Sequence, residues 1–193
     1  NVSLYNESGG DAIYPTPVIG ALGVLEDATK RAGIDFTGAG DAVVLLGVET
    51  LSWDPASLAG SEYLERVHGE VAGNPTFDLE LEIAVQRTCR RLVREGVARS
   101  AHDVSEGGLA VALAECCILG GVGFELTATL PDRWDAALFG EPQSLIAVSV
   151  KPGDISRVAD IADEEGVPLI TLGCVGGDAL RLGAAGGVSG TIP

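Results

Sequence analysis

The sequence predicts an α+β fold built on a layered mixed sheet, on two observations. Strand-like and helix-like segments interleave irregularly instead of repeating as regular strand–helix units. Phe124-Glu125-Leu126-Thr127-Ala128-Thr129-Leu130 also alternates cleanly, as a half-buried strand with one wet face does. A doubly wound parallel sheet, covered on both faces, fits this alternation less well.

The elements follow in order. After Pro15-Thr16-Pro17, Val18 to Leu25 reads as a strand, and the glycine-containing stretch Glu26 to Gly40 as a linker or irregular crossing. Val43-Val44-Leu45-Leu46 is a buried strand opening a second unit at about residue 41. A short helix begins near Ser61. A long one follows Asn74-Pro75-Thr76, capped by Thr76 or Asp78 and ended by Gly96. Leu81, Val85, Cys89 and Leu92 recur at helical spacing, so that helix packs on one side only. Val97 to Asp103 is a strand leading into the turn Glu106-Gly107-Gly108. Leu109 to Leu119 is apolar on nearly every face and reads as a buried helix. Ser144 to Val150 is a strand. Asp154 caps a helix to about Glu165 with Ile155, Val158, Ala159 and Ala162 inward, and Val167 to Leu172 and Ala179 to Leu182 close the pattern as strands.

Composition narrows the function. Hydrophobic residues make up 46% of 193, enough for a sizeable core, and no apolar run approaches the roughly 18 residues that span a bilayer. Twelve basic residues stand against 28 acidic ones, a net charge of −16, which disfavours nucleic acid as a partner. Such an acidic, lysine-poor surface suits a salt-rich cytoplasm, although ordinary acidic solubility explains it equally well. Cys89, Cys116, Cys117 and Cys174 show neither metal spacing nor a disulfide framework, so the compartment reads as cytoplasmic. The chain lacks methionine and opens directly on the motif Asn1 to Glu7, which reads as a piece cut from a longer polypeptide.

Three constellations invite chemistry. Ala101 to Gly108 lies between a strand and a helix start. There glycines and unpaired N–H groups can admit a phosphate, and Ser105 adds a hydroxyl. Asp103 and Glu106 would repel a bare phosphate, so a nucleotide would need Mg²⁺ between them. The plainer alternative is that Ser105 caps the helix and the glycines make its tight entry. Asn1-Val2-Ser3-Leu4-Tyr5-Asn6-Glu7 places Asn1 and Ser3 on one side of an extended segment, with oxygens suited to a hard cation or polar substrate. Glu141 and Gln143 could hydrogen-bond a ligand, with a Pro142 turn as the alternative. His102 beside Asp103 reads as a satisfied structural histidine, and Arg90, Arg91 and Arg94 as a solvated helix face or an interface. No catalytic triad or metal cluster can be assembled.

Together these stretches resemble the large, synthetase subunit of phosphoribosylformylglycinamidine synthase. The motifs that carry the resemblance are Asn1 to Glu7, Ile13 to Gly20, Gly60-Ser61-Glu62-Tyr63-Leu64, Ser100 to Gly108 and Glu141-x-Gln143, in that order. The resemblance implies an α/β/α layered sheet for residues 41–193, preceded over residues 1–40 by the last strands of an N-domain. It implies part of an ATP-dependent ligase that joins glutamine-derived ammonia to formylglycinamide ribonucleotide. By the same resemblance Asn1 and Asp103 are ligands of Mg²⁺, Ser3 contacts substrate and Ser105 contacts nucleotide. No catalytic residue is implied in this stretch, and the isolated chain is expected to be inactive. The implied partners are a glutaminase subunit and a small subunit, with a homodimer left open. Pro142 stands where the family often has Ser or Thr. Two other readings stay open: a scaffold half with no occupied nucleotide site, and a related ATP-dependent synthetase of the same superfamily.

Overall fold

The strand Ala42–Leu46 is buried at every position, because helices cover both of its faces. The structure, a computed structural model, describes residues 6–13, 20–51, 54–183 and 189–193. Its elements are β1 (Asn6–Ser8), β2 (Asp11–Ile13), β3 (Ala42–Leu46), α1 (Leu79–Arg94), β4 (Ala98–Asp103), α2 (Gly108–Gly120), β5 (Phe124–Leu126), α3 (Trp134–Phe139), β6 (Ile146–Val150), α4 (Ile155–Glu165), β7 (Leu169–Val175), β8 (Leu180–Gly183) and β9 (Ser189–Ile192). A 3-10 turn at Pro55–Leu58 and a π-helical turn at Leu64–His68 lie between β3 and α1.

β1 and β2 form a separate antiparallel hairpin. The remaining strands form one sheet in the order β4-β6-β3-β7-β5-β8-β9, antiparallel except for the β5–β8 pair. Side-chain alternation sorts the core into two layers. Val43 and Leu45 point into a cluster with Leu109 and Leu113 of α2 and Leu138 of α3. Ala42, Val44 and Leu46 point into another with Val85 and Leu92 of α1 and Val158 and Ile161 of α4. This is the expected α/β/α sandwich, and it explains why β3 reads as a continuous apolar run. The wet face is confined to one end of the sheet, where Glu125 pairs with Cys174 and Arg181 and all three are exposed.

Several expectations need correction. Residues 20–25 form no strand, and Leu22 and Val24 are fully exposed; their apolar pattern finds no partner among the described residues. Only Phe124–Leu126 of the alternating stretch is a strand, after which Thr127 and Ala128 both donate their N–H to Leu172 O. Asp78, not Thr76, caps α1, accepting from Glu80 N at 3.0 Å and Leu81 N at 3.1 Å. Asp154 makes no side-chain cap, since a 3-10 turn already leads into α4, and Ile161 takes the inward place expected of Ala159. α2 is not covered all round: Ile118 and Leu119 near its end are exposed. α3, six residues long, is too short for a periodic signal to reveal.

Gly173 in β7 shows how closely the strands approach, since a Cβ there would lie 1.9 Å from Glu125 O. Gly173→Ala is expected to cost about 1–3 kcal/mol in urea unfolding. Gly153→Ala, where a Cβ meets open space, should change stability by less than about 0.5 kcal/mol.

Candidate functional site

The stretch from Ser100 to Gly108 carries β4 out of the sheet and turns it into α2. Val104 stays buried, its N–H donating to Leu145 O, while Ser105 and Glu106 are exposed at the turn. Gly107 and Gly108 both have positive φ, 84° and 75°. A Cβ on Gly108 would meet backbone atoms of Leu138, Phe139 and Gly140 within 2.8 Å. The glycine pair therefore lets the start of α2 nest against the end of α3.

The hydroxyl of Ser105 does not cap α2; its carbonyl accepts from Gly108 N instead. The capping group is Glu141. Its Oε1 accepts from Gly107 N at 2.8 Å and from Glu62 N at 2.9 Å, and its own N–H donates to Ser57 O. One carboxylate thus ties together the α2 entry, the loop before the π-helical turn and the loop after α3, and it occupies the positive end of the α2 dipole. The Gly60 to Leu64 motif is structural as well. Buried Ser61 donates to Leu58 O and accepts from Leu64 N, and Tyr63 stacks on Phe139 at 5.2 Å. His102 is buried with Nδ1 2.7 Å from Asp103 O and Nε2 3.0 Å from Glu115 Oε2. Each ring nitrogen faces an oxygen, so the ring is held in place as expected of a structural histidine.

A cleft of about 480 Å³ opens beside this turn, lined by Glu82, Gln86, Asp103, Ser105, Glu106, Glu141, Gln143 and Ser144. Four carboxylates and no basic side chain line it. Glu141 is engaged with backbone amides, and Glu82 accepts from Ser144 Oγ at 2.7 Å. Ser144 has a φ of 66°, costing about 1 kcal/mol or more, and its carbonyl fills the space a Cβ on Gly47 would need. Glu106 and Asp103, the latter with Oδ1 3.6 Å from His102 Nδ1, are the lining carboxylates without a hydrogen bond among the described residues. This all-oxygen donor set suits a hard divalent cation and repels a bare phosphate. Among the described residues no three His, Cys, Asp or Glu side chains converge as a metal cage, so phosphate oxygens or water would have to complete any cation site.

The structure thus brings Asp103 and Ser105 to one cleft, whereas Asn1 and Ser3 lie outside the described residues. Sequence reasoning missed Glu82, Gln86 and Ser144. Glu82 and Gln86 share an i, i+4 face of α1, but nothing in that spacing points across to Asp103. Burial pushes the Cys116 thiol up to about 12 and Cys117 up to about 11, which disfavours the thiolate of either at neutral pH.

Comparison with known proteins places these features. A family model described as "AIR synthase related protein, C-terminal domain" matches residues 38–182. The chain is 47% identical to the phosphoribosylformylglycinamidine synthase subunit PurL of Anaeromyxobacter sp. (strain Fw109-5), over 96% of this chain and 25% of that subunit. It therefore spans about a quarter of the length of that curated relative. In fold it is similar to Thermotoga maritima PurL complexed with FGAR, with a TM-score of 0.73 at 20% identity over 86% of this chain and 29% of the other. A structure of PurLQS from the same organism matches with a TM-score of 0.65 at 20% identity, over 86% of this chain and 27% of that one.

Two outcomes test this geometry. Glu141→Ala leaves the Gly107 and Glu62 amides without their acceptor and should lower stability by about 1–3 kcal/mol or more, whereas exposed Gln143→Ala should stay within about 0.5 kcal/mol in thermal unfolding. At pH 8 a thiol reagent should modify exposed Cys174 first and reach buried Cys116 only on unfolding. Because burial raises the Cys116 and Cys117 thiols in the folded state, their contribution to stability is whole below the ordinary thiol range and is lost as the pH climbs toward 11–12.

Proposed function

We propose a function on one premise: this chain belongs to the AIR synthase related protein, C-terminal domain, family. Within it, the chain is part of a phosphoribosylformylglycinamidine synthase, an ATP-dependent carbon–nitrogen ligase of purine biosynthesis acting in the cytoplasm. The observation that carries this reading is the 47% identity to a PurL subunit across 96% of the chain. The proposed substrates are formylglycinamide ribonucleotide, ATP and glutamine-derived ammonia, and the proposed partners are a glutaminase subunit and a small subunit. Among the described residues no helix is long and apolar enough to cross a membrane.

Residues 1–40 are proposed as the end of an N-domain plus linker, and residues 41–193 as the C-domain. The start of the family match at residue 38 supports that division. Asn1, as a Mg²⁺ ligand, and Ser3, as a substrate contact, would form the edge of the active site. Asp103 is the proposed Mg²⁺ ligand of a second phosphate site, with Ser105 contacting the nucleotide. A divalent cation there would supply charge neutralisation between carboxylate and phosphate. The chain's own contribution is to hold Asp103 at the end of β4 and to keep the α2 entry rigid through Glu141.

A second reading is favoured by the same Glu141 contact. With the Gly107 amide already taken and carboxylates lining the cleft, this half would act as a scaffold carrying no nucleotide. Calorimetry separates the two. The nucleotide reading predicts ADP binding that needs Mg²⁺ and weakens at least roughly tenfold in Asp103→Ala. Binding that is absent, or indifferent to the substitution, supports the scaffold. The synthase reading itself is tested by grafting residues 38–182 into the Anaeromyxobacter subunit. The folded chimera should form formylglycinamidine ribonucleotide in the presence of its partner subunits, while this chain alone should not turn over ATP. A folded but inactive chimera would overturn the assignment.

A further inference from the structure

The outermost face of α1 has no role in the cleft, yet its residues are ordered with care. Buried Val85, Thr88 and Leu92 mark the inward side. At 100° per residue, Leu79, Ile83, Arg87, Arg90 and Arg94 fall within about 40° of a single line on the opposite side. Leu79 is 59% and Ile83 41% exposed, and Phe77, just before the helix, is 61% exposed. Arg87, Arg90 and Arg94 are exposed and form no ion pair or hydrogen bond among the described residues. Arg91, beside them, is held by Glu95 and Glu164. Four of the chain's twelve basic residues thus lie within eight positions of an otherwise acidic chain.

Dipole compensation accounts for Arg91 and Arg94 in the last turn. It does not account for Arg87 and Arg90, or for apolar side chains on the same exposed line. A free phosphate is a poor occupant, because the mid-helix N–H groups are spent within the helix and the nearby dipole end is negative. Nucleic acid is disfavoured by the net charge of −16. Apolar anchors followed by guanidiniums, along about 22 Å of one helix face, match a polypeptide. Arginine and aromatic side chains, here Phe77 just ahead of the helix, are residue types that protein interfaces concentrate.

We propose that this face of α1 docks an acidic amphipathic helix of a partner protein, its apolar end on Leu79 and Ile83 and its carboxylates along Arg87, Arg90 and Arg94. The inference is independent of the cleft and of the synthase reading. The probe is a fluorescent synthetic helix with leucines at one end and glutamates along the same face, measured by anisotropy against the whole chain. Binding is expected to weaken at least roughly tenfold in Arg87→Glu/Arg90→Glu/Arg94→Glu and in Ile83→Gln, and to fade with salt. A lysine version of the peptide should bind only the triple variant. Because all four positions are on the surface, unchanged circular dichroism and a cooperative thermal transition confirm that the variants fold, with a modest loss of stability expected from Arg94→Glu at the helix end. The proposal is overturned if a peptide of the same composition with its glutamates scrambled binds equally well, or if inorganic polyphosphate competes fully and Ile83→Gln has no effect. It is also overturned if no peptide binds, or if sedimentation shows that the face is consumed by self-association of the chain.

Discussion

The carboxylate of Glu141 is the contact on which the arrangement around the cleft depends. It accepts from Gly107 and Glu62 at once, while its own amide is anchored to Ser57. Three segments that begin or end different elements are thereby fixed to one another, alongside the packing of α2 on α3 and of Tyr63 on Phe139. A buried or half-buried amide left without an acceptor costs about 1–3 kcal/mol, so the geometry of the turn and its stability have the same source. Two glycines border the same segment: Gly108 admits the backbone of the α3 end, and Gly47 admits the carbonyl of Ser144.

The same contact sets the electrostatics. A helix entry flanked by glycines ordinarily invites an anion. Here the anion is already part of the chain, and Glu82, Asp103 and Glu106 add further negative charge nearby. Whatever binds in the cleft must bring positive charge with it, or bridge to the protein through a cation. The doubly covered sheet supplies the rigid frame: β4 and β6 hold Asp103 and Ile146 in register beside one another, and α1 brings Glu82 from the opposite layer to Ser144.

Much of the frame was legible in the residues. The apolar run of β3 announced a strand buried on two faces, and the one-sided periodicity of α1 announced a helix packed on one of them. The alternation at Phe124 to Leu126 located the wet end of the sheet. What escaped were contacts between segments distant in the chain. Glu141 lies 34 residues from Gly107 and 79 from Glu62, and no local pattern distinguishes a carboxylate that caps a remote helix from one that faces solvent. Local position makes Ser105 the alternative cap to its reading as a nucleotide contact, but a long-range partner, Glu141, holds the Gly107 amide instead. The apolar pattern misled over residues 20–25 for a related reason, Val18 and Ile19 lying outside the described residues: alternation signals a strand only where another strand is present to pair with it. Asp103 and Ser105 stand out as candidates from their local setting, and the structure sets them in one cleft with Gln86, Glu82 and Ser144.

The central claim is that the α2 entry is filled by an internal carboxylate, so the cleft does not accept phosphate on its own. Backbone amide resonances of Gly107 and Glu62, followed by NMR during titration with inorganic phosphate, test it most directly. Both amides should stay unshifted and protected from exchange when phosphate is added without a divalent cation. Movement of the Gly107 resonance with phosphate alone, in the wild-type chain, would contradict it.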